Sequence, residues 1–101
     1  MTSYTVYILR CSDDSLYCGV TNDLDARLKA HNNKIGAKYT RSRTPCKLEW
    51  KMTGIGCKSL ALKIEYRIKQ LSRRDKIKMM THDYESGGFN TILNNILMSI
   101  K

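Results

Sequence analysis

The fold is decided by residues 4–20, which run YTVYILRCSDDSLYCGV. Side chains of the first segment alternate between two faces, one with Tyr4, Val6 and Ile8 and the other with Tyr7 and Leu9. This period of two is that of a β-strand. The polar run at 12–15 is typical of a turn, and a second apolar segment follows it. The pattern therefore predicts a hairpin of strands 4–10 and 16–20.

A short helix is predicted directly after the hairpin. Thr21 or Asn22 is the expected N-cap, and acidic residues occupy the first turn, where the helix dipole favours them. The stripe at positions i, i+3, i+4 and i+7 consists of Leu24, Arg27, Leu28 and His31. Arginine is usually exposed to water, so its position on or beside a buried stripe calls for a reason.

The rest of the chain predicts one more strand and three more helices. Residues 32–45 form an extended basic loop, and Leu48, Trp50 and Met52 are expected to face inward from a strand over 47–52. A helix over 59–71 has a predicted core stripe of Leu60, Ile64, Ile68 and Leu71. Further helices are expected over 73–81, with Ser72 as N-cap, and over 92–100.

The predicted fold class is α+β, with a three-stranded antiparallel sheet flanked by helices. We expect one domain over residues 1–84 and a C-terminal helical extension, residues 85–101, packed on it. The four cysteines, at positions 11, 18, 46 and 57, lack the spacing of a zinc site and are expected to be reduced and mostly buried.

The chain is strongly basic, with 18 Lys and Arg against 9 Asp and Glu among its 101 residues. The excess is concentrated in residues 27–51 and 58–78, and such surfaces attract polyanions. A highly soluble basic protein is the alternative that charge alone leaves open. No apolar run approaches the ~20 residues needed to span a bilayer, and the N-terminus lacks a signal-peptide pattern. We therefore expect an intracellular (cytoplasmic) protein without a membrane partner.

Five polar residues are candidates for phosphodiester chemistry: Tyr7, Tyr17, Arg27, His31 and Glu65. Such a reaction needs an oxygen ligand for a hard cation, a positive charge beside the phosphate and a group that deprotonates water. Each candidate also has an ordinary structural interpretation. Buried tyrosine hydroxyls often bond to backbone, Glu65 can pair with Lys69 at i+4, and His31 can interact with the helix dipole.

Together these residues resemble the GIY-YIG nuclease motif. The matching segments are Thr5-Val6-Tyr7, Tyr17-Cys18-Gly19, Thr21-Asn22-Asp23-Leu24, Arg27, His31, residues 36–41, Pro45, residues 61–65, residues 68–71 and Lys76. The likeness covers about residues 4–80. The set of matching segments is similar to that of the small YhbQ-like members and of the nuclease domain of the Slx1 structure-specific endonuclease.

The resemblance implies a role for each candidate. One tyrosine acts as general base and the other orients the phosphate, with Tyr7 slightly favoured as the base. Arg27 stabilises the scissile phosphate, His31 matches a histidine of several members, and Glu65 binds a single Mg²⁺ or Mn²⁺. Gly19 is expected where a side chain would crowd the site.

The chain also departs from the family pattern. Thr5 replaces the first glycine, Cys18 replaces an isoleucine, and residues 20–22 lack the lysine that several members carry. Larger members also carry an asparagine in the region after the metal-binding glutamate. In this chain the first asparagine after Glu65 is Asn90, which lies far along the chain.

Substrate contacts are expected from the basic loop, through Lys34, Lys38, Tyr39, Arg41 and Arg43. Contacts of this kind position a backbone without selecting a sequence. We therefore expect DNA cleavage that is structure-directed or non-specific, in repair or recombination, by a monomer or weak homodimer with a possible targeting partner.

Two other classes of function compete with the endonuclease. One is a nucleic-acid-binding module that has kept the fold and lost catalysis. The other is a basic scaffold whose final helix, residues 92–100, binds a partner protein. The presence of all five candidate side chains favours the endonuclease.

Overall fold

The computed structural model describes residues 3–33, 43–81 and 91–100, with side chains from residue 94 onward in the last range. It contains a three-stranded antiparallel sheet in the order β2-β1-β3. The strands are β1 (Tyr4–Arg10), β2 (Leu16–Thr21) and β3 (Lys47–Ile55). The helices are α1 (Leu24–Asn32), α2 (Lys58–Gln70), α3 (Arg73–Thr81) and α4 (Thr91–Ser99). The predicted α+β class is confirmed.

The hairpin closes through a turn that needs a left-handed residue. The Cys11 amide donates to the Ser15 carbonyl over 2.9 Å, and Asp14 has φ of 68°. Aspartate tolerates this conformation better than most residues. The Asp14 carboxylate also pairs with Arg10 at 2.6 Å and with Arg73 at 3.2 Å. The turn is thereby connected to the start of α3.

Strand β3 carries a bulge that changes which way Leu48 faces. Ile8 lies opposite Trp50, whereas Leu9 lies opposite Leu48, so one step along β1 corresponds to two along β3. The prediction that Leu48 faces the same core as Trp50 is therefore wrong. The strand also continues past its predicted end at Met52, through Gly54 with φ of 75°.

Helix α1 begins later than its sequence suggested. Asp23 is the N-cap, since its carboxylate accepts from the Ala26 amide over 3.1 Å. The prediction of Thr21 or Asn22 is wrong because Thr21 Oγ1 instead accepts from the Asp23 amide, which forms a small turn before the helix. Asn32, expected in the loop, is the last helical residue.

Helices α2 and α3 pack on the main core side of the sheet. Ile64 and Ile68 are fully buried as expected, but Leu60 is 39% exposed and Ala61 occupies the buried position. The inclusion of Leu60 in the core stripe is therefore wrong. The Ser72 hydroxyl accepts from the Asp75 amide over 3.1 Å, as expected of an N-cap.

Helix α4 contacts α2 and α3, and its Ile96 is buried in the main core. Leu97 and Ile100 pack against the same core. The division of the chain at residue 84 stays a prediction, because residues 82–90 lie outside the described ranges. None of the helices in the described ranges is long and apolar enough to cross a bilayer.

The sheet separates two cores. The main core contains Val6, Ile8, Cys18, Trp50, Met52, Ile55, Ala61, Ile64, Ile68, Met79 and Ile96. The second core contains Tyr7, Leu9, Cys11 and Cys46, with Tyr17, Leu24, Leu28 and Leu48 packed against it. All four cysteines are free thiols, and three of them are buried while Cys57 is exposed. The second core places polar aromatic groups under α1.

Candidate functional site

Three aromatic rings meet in the second core. The Tyr7 and Tyr17 centroids are 6.4 Å apart, and His31 lies 6.0 Å from Tyr7 and 5.2 Å from Tyr17. Tyr17 is opposite Leu9 in the strand register, two pairs along from the Tyr7–Gly19 pair, so the tyrosines are diagonal neighbours on one face. Helix α1 supplies the histidine from above this face. We call these three residues, together with Arg27, the tyrosine–histidine cluster.

A buried hydrogen bond joins two members of the cluster. Tyr7 Oη lies 3.0 Å from His31 Nε2, and the two residues are 1% and 0% exposed. Burial raises the pKa of Tyr7 to about 12, although Arg27 beside the hydroxyl opposes the shift. Tyr7 therefore keeps its proton at neutral pH. We assign the hydroxyl as donor and Nε2 as acceptor, which leaves the imidazole proton on Nδ1.

Arg27 acts on both partners of this bond. It lies one helical turn before His31 on α1 and is half-buried. Burial first, and then the charge of Arg27, lower the pKa of His31 below its ordinary value. Both effects keep the imidazole neutral and able to accept a proton. The arginine that the sequence placed beside the buried stripe thus sets the electrostatics of the cluster.

Gly19 lies directly opposite Tyr7 in the hairpin register. A Cβ at this position would be 2.5 Å from Tyr7 Oη and 2.6 Å from Cζ. Real contacts of this kind are about 3.5–4.0 Å. The tyrosine ring can therefore lie flat over the backbone of β2 only because residue 19 has no side chain.

Glu65 approaches the site from the other side of the sheet. It belongs to α2, its side chain is 19% exposed, and its carboxylate lies 3.6 Å from Lys69 Nζ. Its charge acts on Cys18, the residue that follows Tyr17 in the edge strand β2. The structure thus brings four candidates together on the α1 face and places Glu65 at the adjoining sheet edge.

The predicted phosphate-binding loop is described only at its end. Lys34, Lys38, Tyr39 and Arg41 lie outside the described residues, as does Asn90. Arg43 Nε donates to Asp13 Oδ2 over 2.9 Å, so this guanidinium is anchored to the β1–β2 turn. Its role in substrate binding stays a prediction.

Asn32 is a positioning residue that the sequence did not single out. Its side-chain amide donates to the Cys46 carbonyl over 3.1 Å, and its Oδ1 accepts from the Cys46 amide over 2.7 Å. This pair of bonds joins the end of α1 to the residue before β3 and closes the base of the basic loop. A polar residue at the end of an amphipathic helix was the available signal.

In the described part of the chain, no group of three or more His, Cys, Asp or Glu side chains is arranged to hold a metal ion. A single carboxylate such as Glu65 fits a different kind of site, in which Mg²⁺ keeps several waters and binds one or two carboxylates plus phosphate oxygens.

Comparison with known proteins identifies the class to which this fold and cluster belong. The family model of the GIY-YIG catalytic domain matches residues 3–78, and the chain belongs to the GIY-YIG family. This domain type places it in an endonuclease superfamily.

Within this family, the chain is similar to small proteins that are named UPF0213. The chain is 50% identical over 76 residues to a UPF0213 protein of Clostridium perfringens, covering 75% of this chain and 81% of that one. It is 48% identical over 80 residues to one of Staphylococcus epidermidis, covering 79% and 96%. The solution NMR structure of a Bacillus halodurans UPF0213 protein matches with a TM-score of 0.52 and 43% identity, over 78% of this chain and 83% of that one.

Proposed function

We propose that this chain is a metal-dependent endonuclease that hydrolyses phosphodiester bonds in DNA. One observation carries the proposal. The buried, neutral His31 accepts a hydrogen bond from the Tyr7 hydroxyl, and Arg27 acts on both residues. This arrangement lies in a chain that the family model of the GIY-YIG catalytic domain matches. Structural tyrosines seldom need a buried histidine and a half-buried arginine around one hydroxyl. Perturbed titratable groups gathered in this way are characteristic of catalytic sites.

The proton path follows from the hydrogen bond. With its pKa raised to about 12, Tyr7 is not a tyrosinate at neutral pH and cannot deprotonate water alone. Tyr7 Oη accepts a proton from the attacking water while its own proton passes to His31 Nε2. The resulting hydroxide attacks phosphorus, and His31 holds the proton as imidazolium. Catalytic contacts often tighten only when substrate binds, which is consistent with a Tyr7 side chain that is buried in the free protein.

The other residues of the cluster act on the phosphate. Arg27 is placed to stabilise the negative charge that grows on the phosphoryl oxygens, because a guanidinium offers several donors in one plane. Tyr17 is half-buried, whereas Tyr7 is 1% exposed, so we assign the more exposed Tyr17 to orienting the phosphate. Gly19 leaves the space that the Tyr7 ring occupies.

Glu65 is the residue that would hold the divalent ion, Mg²⁺ or Mn²⁺. When bound, such an ion polarises the phosphate and stabilises the leaving oxygen. Lys69 neutralises the Glu65 carboxylate in the free protein, at 3.6 Å. The Glu65 side chain is partly exposed, so water and phosphate oxygens could reach its carboxylate as the remaining ligands.

Nucleic acid is the substrate class that the charge supports, and DNA is the nucleic acid that the likeness to GIY-YIG nucleases implies. The net charge is +9, and no DNA-reading module accompanies the domain in this sequence. Contacts from the basic loop position the backbone without selecting a sequence. We infer structure-directed or non-specific cleavage inside the cell, in repair or recombination, with targeting available from a protein partner.

The experiment is cleavage of labelled linear, nicked, flap and branched DNA with Mg²⁺ or Mn²⁺. Arg27→Ala and Glu65→Gln should each lower the rate at least about 100-fold while DNA binding is retained. Lys29→Ala and Asp25→Asn, exposed changes of the same charge on α1, serve as matched controls and should cut normally. A wild-type chain that binds DNA but never cuts with either ion would make it a binding module instead.

The proton path has its own test within the same assay. Tyr7→Phe should abolish cleavage, and the wild-type rate should fall once the pH is low enough to protonate His31, whose pKa is held below its ordinary value by burial and by Arg27. If Tyr7→Phe keeps its rate while Tyr17→Phe loses it, Tyr17 is the base and Tyr7 only positions His31.

A further inference from the structure

A pocket of about 240 Å³ lies at the outer edge of the sheet, beside the tyrosine–histidine cluster. Its strand wall comes from Ile8 and the first half of β2, including Tyr17 and Cys18. Its helical wall comes from two lysines, Lys69 near the end of α2 and Lys76 on α3. The volume is below that of a typical drug-sized pocket and suits a phosphate with part of its sugar.

The chemistry of the walls suits a nucleic-acid backbone. Lys69 and Lys76 line one side of the pocket, and Tyr17 with its apolar neighbours on β1 and β2 lines the other. Both lysines and Glu65 act on the buried thiol of Cys18, which places all three charges around the same point of the edge strand. Lysines bind phosphates as point charges, and tyrosine rings provide a surface for sugar or base.

Two residues of the pocket also contact members of the proposed active site. Tyr17 lines the pocket and also lies 5.2 Å from the His31 ring. Lys69 lines the pocket and also pairs with Glu65, the proposed metal ligand. A strand whose scissile phosphate lies at Arg27 and Tyr17 therefore meets the lysines as it crosses the β2 edge.

We propose that this pocket is a phosphate-binding subsite for the bound DNA strand, with Lys69 and Lys76 as positioning residues. The inference rests on the proposed nuclease function, and it names the surface along which substrate leaves the cleavage site. It also supplies positive charge in a chain that lacks a lysine at positions 20–22. The contacts are with backbone only, so they hold any sequence equally well.

The first test measures binding without cleavage. A fluorescent single-stranded oligonucleotide is titrated in EDTA at several salt concentrations, with wild type, Lys69→Gln/Lys76→Gln and a control, Lys58→Gln/Lys78→Gln. The control removes the same charge from exposed positions at the start of α2 and near the end of α3. Two lost phosphate contacts should reduce the slope of log K against log salt by about 1.4 in the test variant. The control should lose clearly less.

The second test separates positioning from chemistry. In the cleavage assay, Lys76→Gln, which leaves the Lys69–Glu65 pair intact, should raise KM while kcat stays within about threefold, since a uniform binding contact has been removed. Lys69→Arg/Lys76→Arg should restore binding and KM. Equal salt slopes for the test and control variants would overturn the subsite. Because the binding arm uses no metal, that failure is distinct from a failure to cut DNA.

Discussion

Replacing Gly19 with alanine tests the packing on which the cluster depends. The new Cβ would lie 2.6 Å from Tyr7 Cζ, so the ring must move by about 1 Å to restore a normal contact. Overpacking of this kind costs about 1–3 kcal/mol. Movement of the hydroxyl also breaks its bond to the buried His31, which costs a further ~1–3 kcal/mol. The alanine itself returns about 0.5–1 kcal/mol within a strand.

With each of these terms at its midpoint, the expected net loss for Gly19→Ala is about 3 kcal/mol. In a domain of this size it lowers Tm by at least about 8 °C. Urea and thermal unfolding measure the change directly. Gly56→Ala is the matched control, because a Cβ there meets nothing within 4 Å, and it should stay within about 0.5 kcal/mol of wild type.

A double-mutant cycle identifies the contact responsible. Leucine at position 7 lacks the distal ring atoms that the new methyl group meets. Gly19→Ala should therefore cost less than about 0.5 kcal/mol in a Tyr7→Leu background, which gives a coupling of at least ~1.5 kcal/mol. The reasoning is refuted if Gly19→Ala is as stable as Gly56→Ala, or if its cost is unchanged when Tyr7 is replaced.

Two further predictions concern α1. Because the folded pKa of His31 is below its ordinary 6.5, the unfolded chain binds the proton more readily, so the free energy of unfolding should fall as pH drops below about 6.5. Urea titrations from pH 5 to 8 should show this decline in wild type and a flatter profile in His31→Gln; an identical decline in both would contradict the assignment. Asp23→Ala should cost about 1 kcal/mol through loss of the N-cap, and Asn22→Ala almost nothing, in equilibrium unfolding. Equal costs would place the cap elsewhere.

The sequence alone determined those features that depend on neighbouring residues. Alternation along residues 4–20 predicted the hairpin and its two faces, since side chains in a strand point to opposite sides in turn. The spacing of Arg27 and His31 placed both on one side of a helix for a similar local reason. The ordered motif predicted the family without the tertiary structure, and the family model confirmed this prediction.

Other features depended on contacts between distant segments. The bulge that turns Leu48 toward the second core arises from the pairing of β1 with β3, which no local pattern of β3 records. The complete burial of His31 and its bond to Tyr7 require α1 to pack over the sheet. Lys69 and Lys76 reach Tyr17 only because α2 and α3 cover the opposite face and end at the same edge strand.

The division has one physical cause. Hydrophobic period and helix capping depend on residues a few positions apart. Strand register, side-chain burial and the packing of helices across a sheet depend on contacts between segments that are distant in the sequence. The sequence therefore identified most residues of the candidate site, and the tertiary structure decided which of them touch and which carry a shifted pKa.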